Sequence, residues 1–292
     1  MDDAFEGVWL KWGWAVVESN RLQLDINAFM DDLKGKQFGR VRADYQPKHH
    51  RFAVILDAVN AEFPKRWGLR VGNIVHNYRS CLDHLAWALV ERGRTPPDKL
   101  TESQRRGVYF PIALTRDEFN TSIRGKRSKL PGVLRADIAI VRRHQPYKRG
   151  KRKANWHALT ILDRLSRLDK HRTIQPVAGY PATGLIEVTH ASDCIPTRQA
   201  KNRPINKLEV GAEFAWIYVR KTGPDPRIGV QAHIEAAPVI DEYLWLNQWF
   251  TTTVVAVGRI LQEFSELPKE MLEGLDATLT QTESQALTQP MP

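Results

Sequence analysis

Within Asn73 to His84 the chain places two histidines, two asparagines and an arginine: Asn73, His76, Asn77, Arg79 and His84. Wound at about 100° per residue, Asn73, Asn77 and His84 form one line, and His76, Ser80, Asp83 and Trp87 form the next. A helix here carries a continuous polar face opposite an apolar stripe, with Arg79 on its flank and within reach of Asp83 at i,i+4. Imidazole titrates near neutrality and can move a proton, while a guanidinium stabilises charge building on a phosphoryl group. Cleavage of RNA through its own 2′-hydroxyl needs a base, an acid and cationic donors at the phosphate, and no metal. Arg79 and His84 stand about 140° apart around the helix, so a partner helix or a second subunit across a two-fold axis would have to close the site. A solvated helix face accounts for the same residues.

A second group lies on Ala154 to Arg172, where an apolar arc through Ala158, Ile161, Leu162 and Leu165 continues onto Asp169. A carboxylate buried there is costly alone, so Arg172, Arg79 or a histidine of the earlier helix is expected to pair with it. His76, Ser80, Asp83, Asp169, Lys170, His171 and Arg172 are thus supporting candidates, and a purely structural ion pair is the alternative. Charge gives a third signal. The net charge is +10, and Thr121 to Lys153 holds twelve Lys or Arg against one acid, Asp137, which leaves the rest of the chain close to neutral. Such concentration suits a phosphate backbone, with Arg142, Arg143, Lys148, Arg149, Lys151, Arg152 and Lys153 as the nucleic-acid-binding candidates. A mobile, solvated basic loop is the competing reading.

Other chemistry is not indicated. No P-loop, dinucleotide fingerprint or zinc spacing occurs, so neither cofactor nor metal is expected. His49 and His50 lie near a turn, and His190 and His233 fall singly on strands. Two cysteines, Cys81 and Cys194, are too few for a disulfide framework and suit a reducing compartment. The acidic start Met1-Asp-Asp and the lack of a long apolar run point to a cytoplasmic protein that does not enter membranes.

Periodicity predicts the elements that hold these residues. Apolar intervals predict helices over Phe5–Leu33, Trp67–Arg92, Leu134–Arg143, Ala154–Arg172 and Asp241–Glu266. In the fourth, Trp156, Leu159, Leu162, Leu165 and Leu168 are expected on the buried side. A hairpin is expected across Gln46-Pro47-Lys48, and strands over 174–180, 185–190, 213–220 and 229–236, the last two paired across Thr222-Gly-Pro-Asp-Pro. Trp9, Trp12, Trp14, Trp245 and Trp249 read as core and interface anchors. The fold expected is α+β, a helical bundle packed with a small antiparallel β-sheet. Residues 1–175 form a helical region with an inserted β-hairpin, 176–275 carry antiparallel strands and a C-terminal helix that returns to the bundle, and 276–292 form a disordered tail.

The run from Val71 to Val90, with Tyr109-Phe-Pro-Ile, Gln145-Pro-Tyr and Leu165-Ser-Arg-Leu-Asp-Lys-His-Arg, resembles a widespread uncharacterised bacterial family over roughly residues 5 to 175. Within it, Arg79-Ser-Cys-Leu-Asp-His84 is similar to the Arg-four-residues-His element of HEPN domains (higher eukaryote and prokaryote nucleotide-binding). The resemblance implies a homodimer that cleaves RNA without metal, in toxin or antiviral-defence systems. Arg79 would bind phosphate and His84 would transfer protons, with Asn77 on the same face as a third catalytic candidate. Some related domains are non-catalytic binding modules, and a structural assembly role also remains open.

Overall fold

The computed structural model describes residues 3–33, 39–59, 62–93, 99–174, 176–179, 186–200, 209–232, 237–240 and 244–266. The expected tail at 276–292, and His233, lie outside these residues. In chain order the elements are α1 (Asp3–Leu33), β1 (Gly39–Gln46), β2 (Arg51–Val59), α2 (Arg66–Glu91), α3 (Glu102–Arg106), α4 (Arg116–Ser122), α5 (Arg135–Arg143), α6 (Lys151–Ala154) and α7 (Ala158–Asp169). There follow β3 (Val177–Gly179), β4 (Ile186–Ser192), β5 (Cys194–Ala200), β6 (Glu213–Lys221), β7 (Arg227–Ala232), β8 (Ala237–Ile240), β9 (Leu244–Trp245) and α8 (Leu246–Gln262). The fold is α+β, a helical bundle and small antiparallel sheets, as the periodicity predicts. No described helix is long and apolar enough to cross a membrane.

The described residues form two compact units, one from those up to 24, 68–174 and 248 onward, the other from 25–67 and 175–247. The units interleave along the chain. The hairpin β1–β2 falls with the later strands, and nearly all of α8 falls with the earlier helices.

In the helical unit, α2 is the central element because its stripe of Val71, Ile74, Val75, Tyr78, Leu82 and Leu85 is fully buried. Each such side chain stabilises by roughly 1.5–3 kcal/mol, which outweighs the weak helix propensity of Gly72, Asn73 and Asn77 on the same helix. α1 contributes Val8, Trp9 and Trp12, and the Trp9 indole donates to Ser265 Oγ just beyond α8. The end of α7 meets α2 where α2 has no side chain. A Cβ on Gly68 would stand 2.0 Å from the Ile174 carbonyl oxygen, and one on Gly72 would stand 2.3 Å from Asp169 Oδ1.

Two local expectations are corrected. The helix over Ala154–Arg172 starts at Ala158, because α6 ends at Ala154 and His157 caps the next helix, its Nδ1 accepting the Leu159 N–H at 3.2 Å. The cap resets the helical phase. Trp156, expected on the buried side, is therefore 58% exposed, while Leu159, Leu162 and Leu165 are buried as expected.

The second correction concerns β6 and β7, which do not pair with each other. β6 lies between β2 and β5 in a four-stranded sheet of order β1-β2-β6-β5, and β7 pairs with β4. Asp193, in the left-handed region, takes the N–H groups of Thr222 and Gly223 on its carbonyl and that of Asp225 on its carboxylate. The 222–226 bend is thereby tied to the β4–β5 corner, and the strands beyond it run on along β5 and β4. Phe52, Val54, Leu56, Ala215, Ile217 and Val219 fill the core of this unit.

Candidate functional site

The polar flank of α2 is built around Arg79 and Asp83. Arg79 Nη2 lies 3.0 Å from Asp83 Oδ1 and donates to the Phe110 carbonyl at 2.9 Å, while the Phe110 N–H donates to Asp83 Oδ1 at 3.0 Å. The two side chains hold both polar backbone groups of one residue in the extended 108–113 segment. Burial pushes the Asp83 carboxyl up, opposed by the Arg79 charge and the Phe110 N–H. Arg79 Nη1 is buried without a hydrogen-bond partner among the described residues. The same segment is fixed a second time by Gln145, 1% exposed, which donates to the Pro111 carbonyl and accepts from the Ala113 N–H.

Elsewhere on α2 the candidates face other surroundings. His76 and His84 are exposed, and His84 Nδ1 stands 3.7 Å from where a Cβ on Gly7 of α1 would lie. Asn77 is half-buried and donates back to the Asn73 carbonyl, and Ser80 is half-buried. Arg79, turned onto Phe110, and His84, beside α1, are not brought together within the chain. The buried thiol of Cys81 is pushed far up by its desolvation, which removes it as a nucleophile.

The pairing expected of Asp169 is corrected. It makes no ion pair among the described residues and is half-buried, with its carboxylate over Gly72. Partial exposure supplies solvation that a partner would otherwise have to provide. Lys170, His171 and Arg172 are exposed, and the Lys170 charge reaches Asp83.

The basic segment divides by use. Its one acid, Asp137, is buried and paired with Arg92 at 2.9 Å, so no carboxylate of the segment is left on the surface. Arg142 is half-buried over the Phe119 ring, Arg143 pairs with Glu263, and Lys148 lies over Tyr147. Lys151 and Arg152 are exposed on α6. Arg149 and Lys153 instead line an open groove of about 650 Å³ between the 144–158 region and α8.

Opposite them on α8 stands Arg259, with Thr251, Thr252, Val255, Ala256 and Ile260. His144, Trp156, His157 and Ala158 complete the lining, which contains no carboxylate. Arg149, Lys153 and Arg259 are exposed and form no ion pair among the described residues. His144 is held by Glu263, which also takes Arg143 and so joins the end of α5 to the end of α8. Burial pushes the His157 imidazole below its usual range, reinforced by the charges of Arg149 and His144. The lining thus combines apolar side chains, three cations and an exposed indole, a combination suited to a planar ring bearing phosphate.

Arg259, Trp156 and His144 are absent from the candidates drawn from the sequence. A basic residue in the last turn of an otherwise apolar and hydroxyl-rich helix is the one signal Arg259 gives. Among the described residues no cluster of His, Cys, Asp and Glu could hold a metal ion. Comparison with protein-family models, with curated proteins and with solved structures finds no match.

Proposed function

We propose that the protein binds single-stranded RNA, or another phosphate polymer, in the cationic groove of its helical unit. The observation that carries this reading is the convergence of Arg149, Lys153 and Arg259, none of them paired with a carboxylate among the described residues, on a groove that also exposes Trp156. Phosphates at the three cations release counterions, and a base stacked on the indole adds about 1–3 kcal/mol. Stacking requires an unpaired base, which favours single strands over duplex. The test is equilibrium binding of a labelled single strand and of the matched duplex. Trp156→Ala weakens the single-strand complex and leaves the duplex little changed; equal affinity of variant and wild type for the single strand removes the groove from this role.

A second reading is metal-independent ribonuclease activity of the toxin or antiviral-defence type, with Arg79 and His84 meeting across a homodimer. Two observations favour it: the buried, unpartnered Nη1 of Arg79 and the exposure of His84 on the same helix. Cleavage of labelled RNA in excess chelator checks it. His84→Ala then abolishes cleavage, and a variant that cleaves like wild type excludes His84.

A further inference from the structure

We propose that the groove is itself a cleavage site, in which His144 transfers the proton, Glu263 positions His144 and the His157 ring donates to the phosphoryl group. This rests on the RNA-binding reading and carries it to a reaction at a place remote in sequence from the Arg79 element.

The geometry assigns the two imidazoles different tasks. His144 Nε2 meets Glu263 Oε1, so the carboxylate fixes the ring by accepting the Nε2–H hydrogen bond, leaving the lone pair of the neutral tautomer on Nδ1. This is the arrangement by which a carboxylate orients a histidine base. His157 differs, because its Nδ1 already accepts the Leu159 N–H at the start of α7, so its own proton resides on Nε2. Burial, with the Arg149 charge beside it, keeps that ring neutral, a fixed donor. Two adjacent histidines in unlike environments, one oriented by a carboxylate and one capping a helix, divide proton transfer from hydrogen bonding.

In the reaction, His144 Nδ1 takes the proton of the 2′-hydroxyl as that oxygen bonds to phosphorus. The bond from phosphorus to the 5′-oxygen breaks, the departing oxygen takes a proton from water, and His144 returns its own to solvent. The products are a 2′,3′-cyclic phosphate and a 5′-hydroxyl. Charge on the non-bridging oxygens of the transition state faces Arg149, Lys153, Arg259 and the His157 N–H. Trp156 holds a neighbouring base.

The experiment pairs binding with single-turnover cleavage of one labelled RNA in excess chelator, for the full chain and for His144→Ala, His144→Asn, Glu263→Gln and His84→Ala. The asparagine variant keeps a polar side chain of similar reach to the ring's Nδ1 edge, and its thermal midpoint guards against a folding loss passing for a lost rate. The expected result is a cyclic-phosphate product, no cleavage of a 2′-O-methyl strand, and a rate lower by about 10²–10⁴ in both His144 variants at unchanged Kd. Glu263→Gln slows cleavage without weakening binding. RNA that binds in the groove and stays intact overturns the inference while the binding reading stands, and loss of cleavage in His84→Ala alone moves the chemistry to α2. Failure of the strand to bind at low salt overturns both.

Discussion

Arg79 pairs with Asp83, and its guanidinium and the Asp83 carboxylate close on the carbonyl and N–H of Phe110. Removing one partner of a fully buried pair costs about 3–5 kcal/mol, and solvent at Asp83, whose side chain is 34% exposed, screens part of it. Arg79→Ala is therefore expected to lose about 2–3 kcal/mol in equilibrium denaturation without any ligand present. An unchanged unfolding midpoint would leave Arg79 free for a substrate. His157 supplies a pH prediction. Above its ordinary pKa of 6.5 both folded and unfolded rings are neutral; below it the unfolded chain takes a proton that the folded ring resists, so stability falls as the pH falls. His157→Asn keeps a capping acceptor and does not titrate, so its stability declines less than that of wild type below pH 6.5 in parallel denaturation series. The i,i+4 relation of Arg79 and Asp83 is legible in the sequence. Their shared grip on Phe110, 31 and 27 residues away, depends on chain return and has no local signature.

At the scale of elements, the long apolar stripes of α1 and α2 are legible because burial on one face repeats at the helical period. α7 departs from its periodicity because of its cap: His157 withdraws from the helix, the phase restarts, and Trp156 turns outward although its spacing from Leu159 fits a buried stripe. The separation of β6 from β7 has a related cause, since Asp193 ties the intervening bend from a strand far away in sequence. The close approach of α2 to the end of α7 yields an ordering of two substitutions. Gly68→Ala drives a Cβ against the Ile174 carbonyl, which only a backbone shift relieves, and overpacking of this kind costs about 1–3 kcal/mol or more. Gly72→Ala meets the Asp169 carboxylate, which can rotate toward solvent. Thermal unfolding should show the larger loss at Gly68; equal or reversed losses would contradict so close an approach of α7 to α2.

For the molecule as a whole, the excess of positive charge is legible in the sequence and its placement is not. Composition counts Arg142, Arg143 and Lys148 with the rest of the basic segment, yet the first covers Phe119, the second neutralises Glu263 and the third lies over Tyr147. The fold sets Arg149 and Lys153 opposite Arg259, from a helix about a hundred residues later, and turns Asp137 inward onto Arg92. What the charge does is then a question of counterions. The most direct measurement is the salt dependence of single-stranded RNA binding by wild type and by Arg149→Gln/Lys153→Gln/Arg259→Gln. The groove account predicts weaker binding and a slope of log Kd against log salt reduced by about 2, at roughly 0.7 for each phosphate of a single strand that the variant no longer neutralises. A variant that keeps the wild-type affinity and the wild-type slope would contradict it.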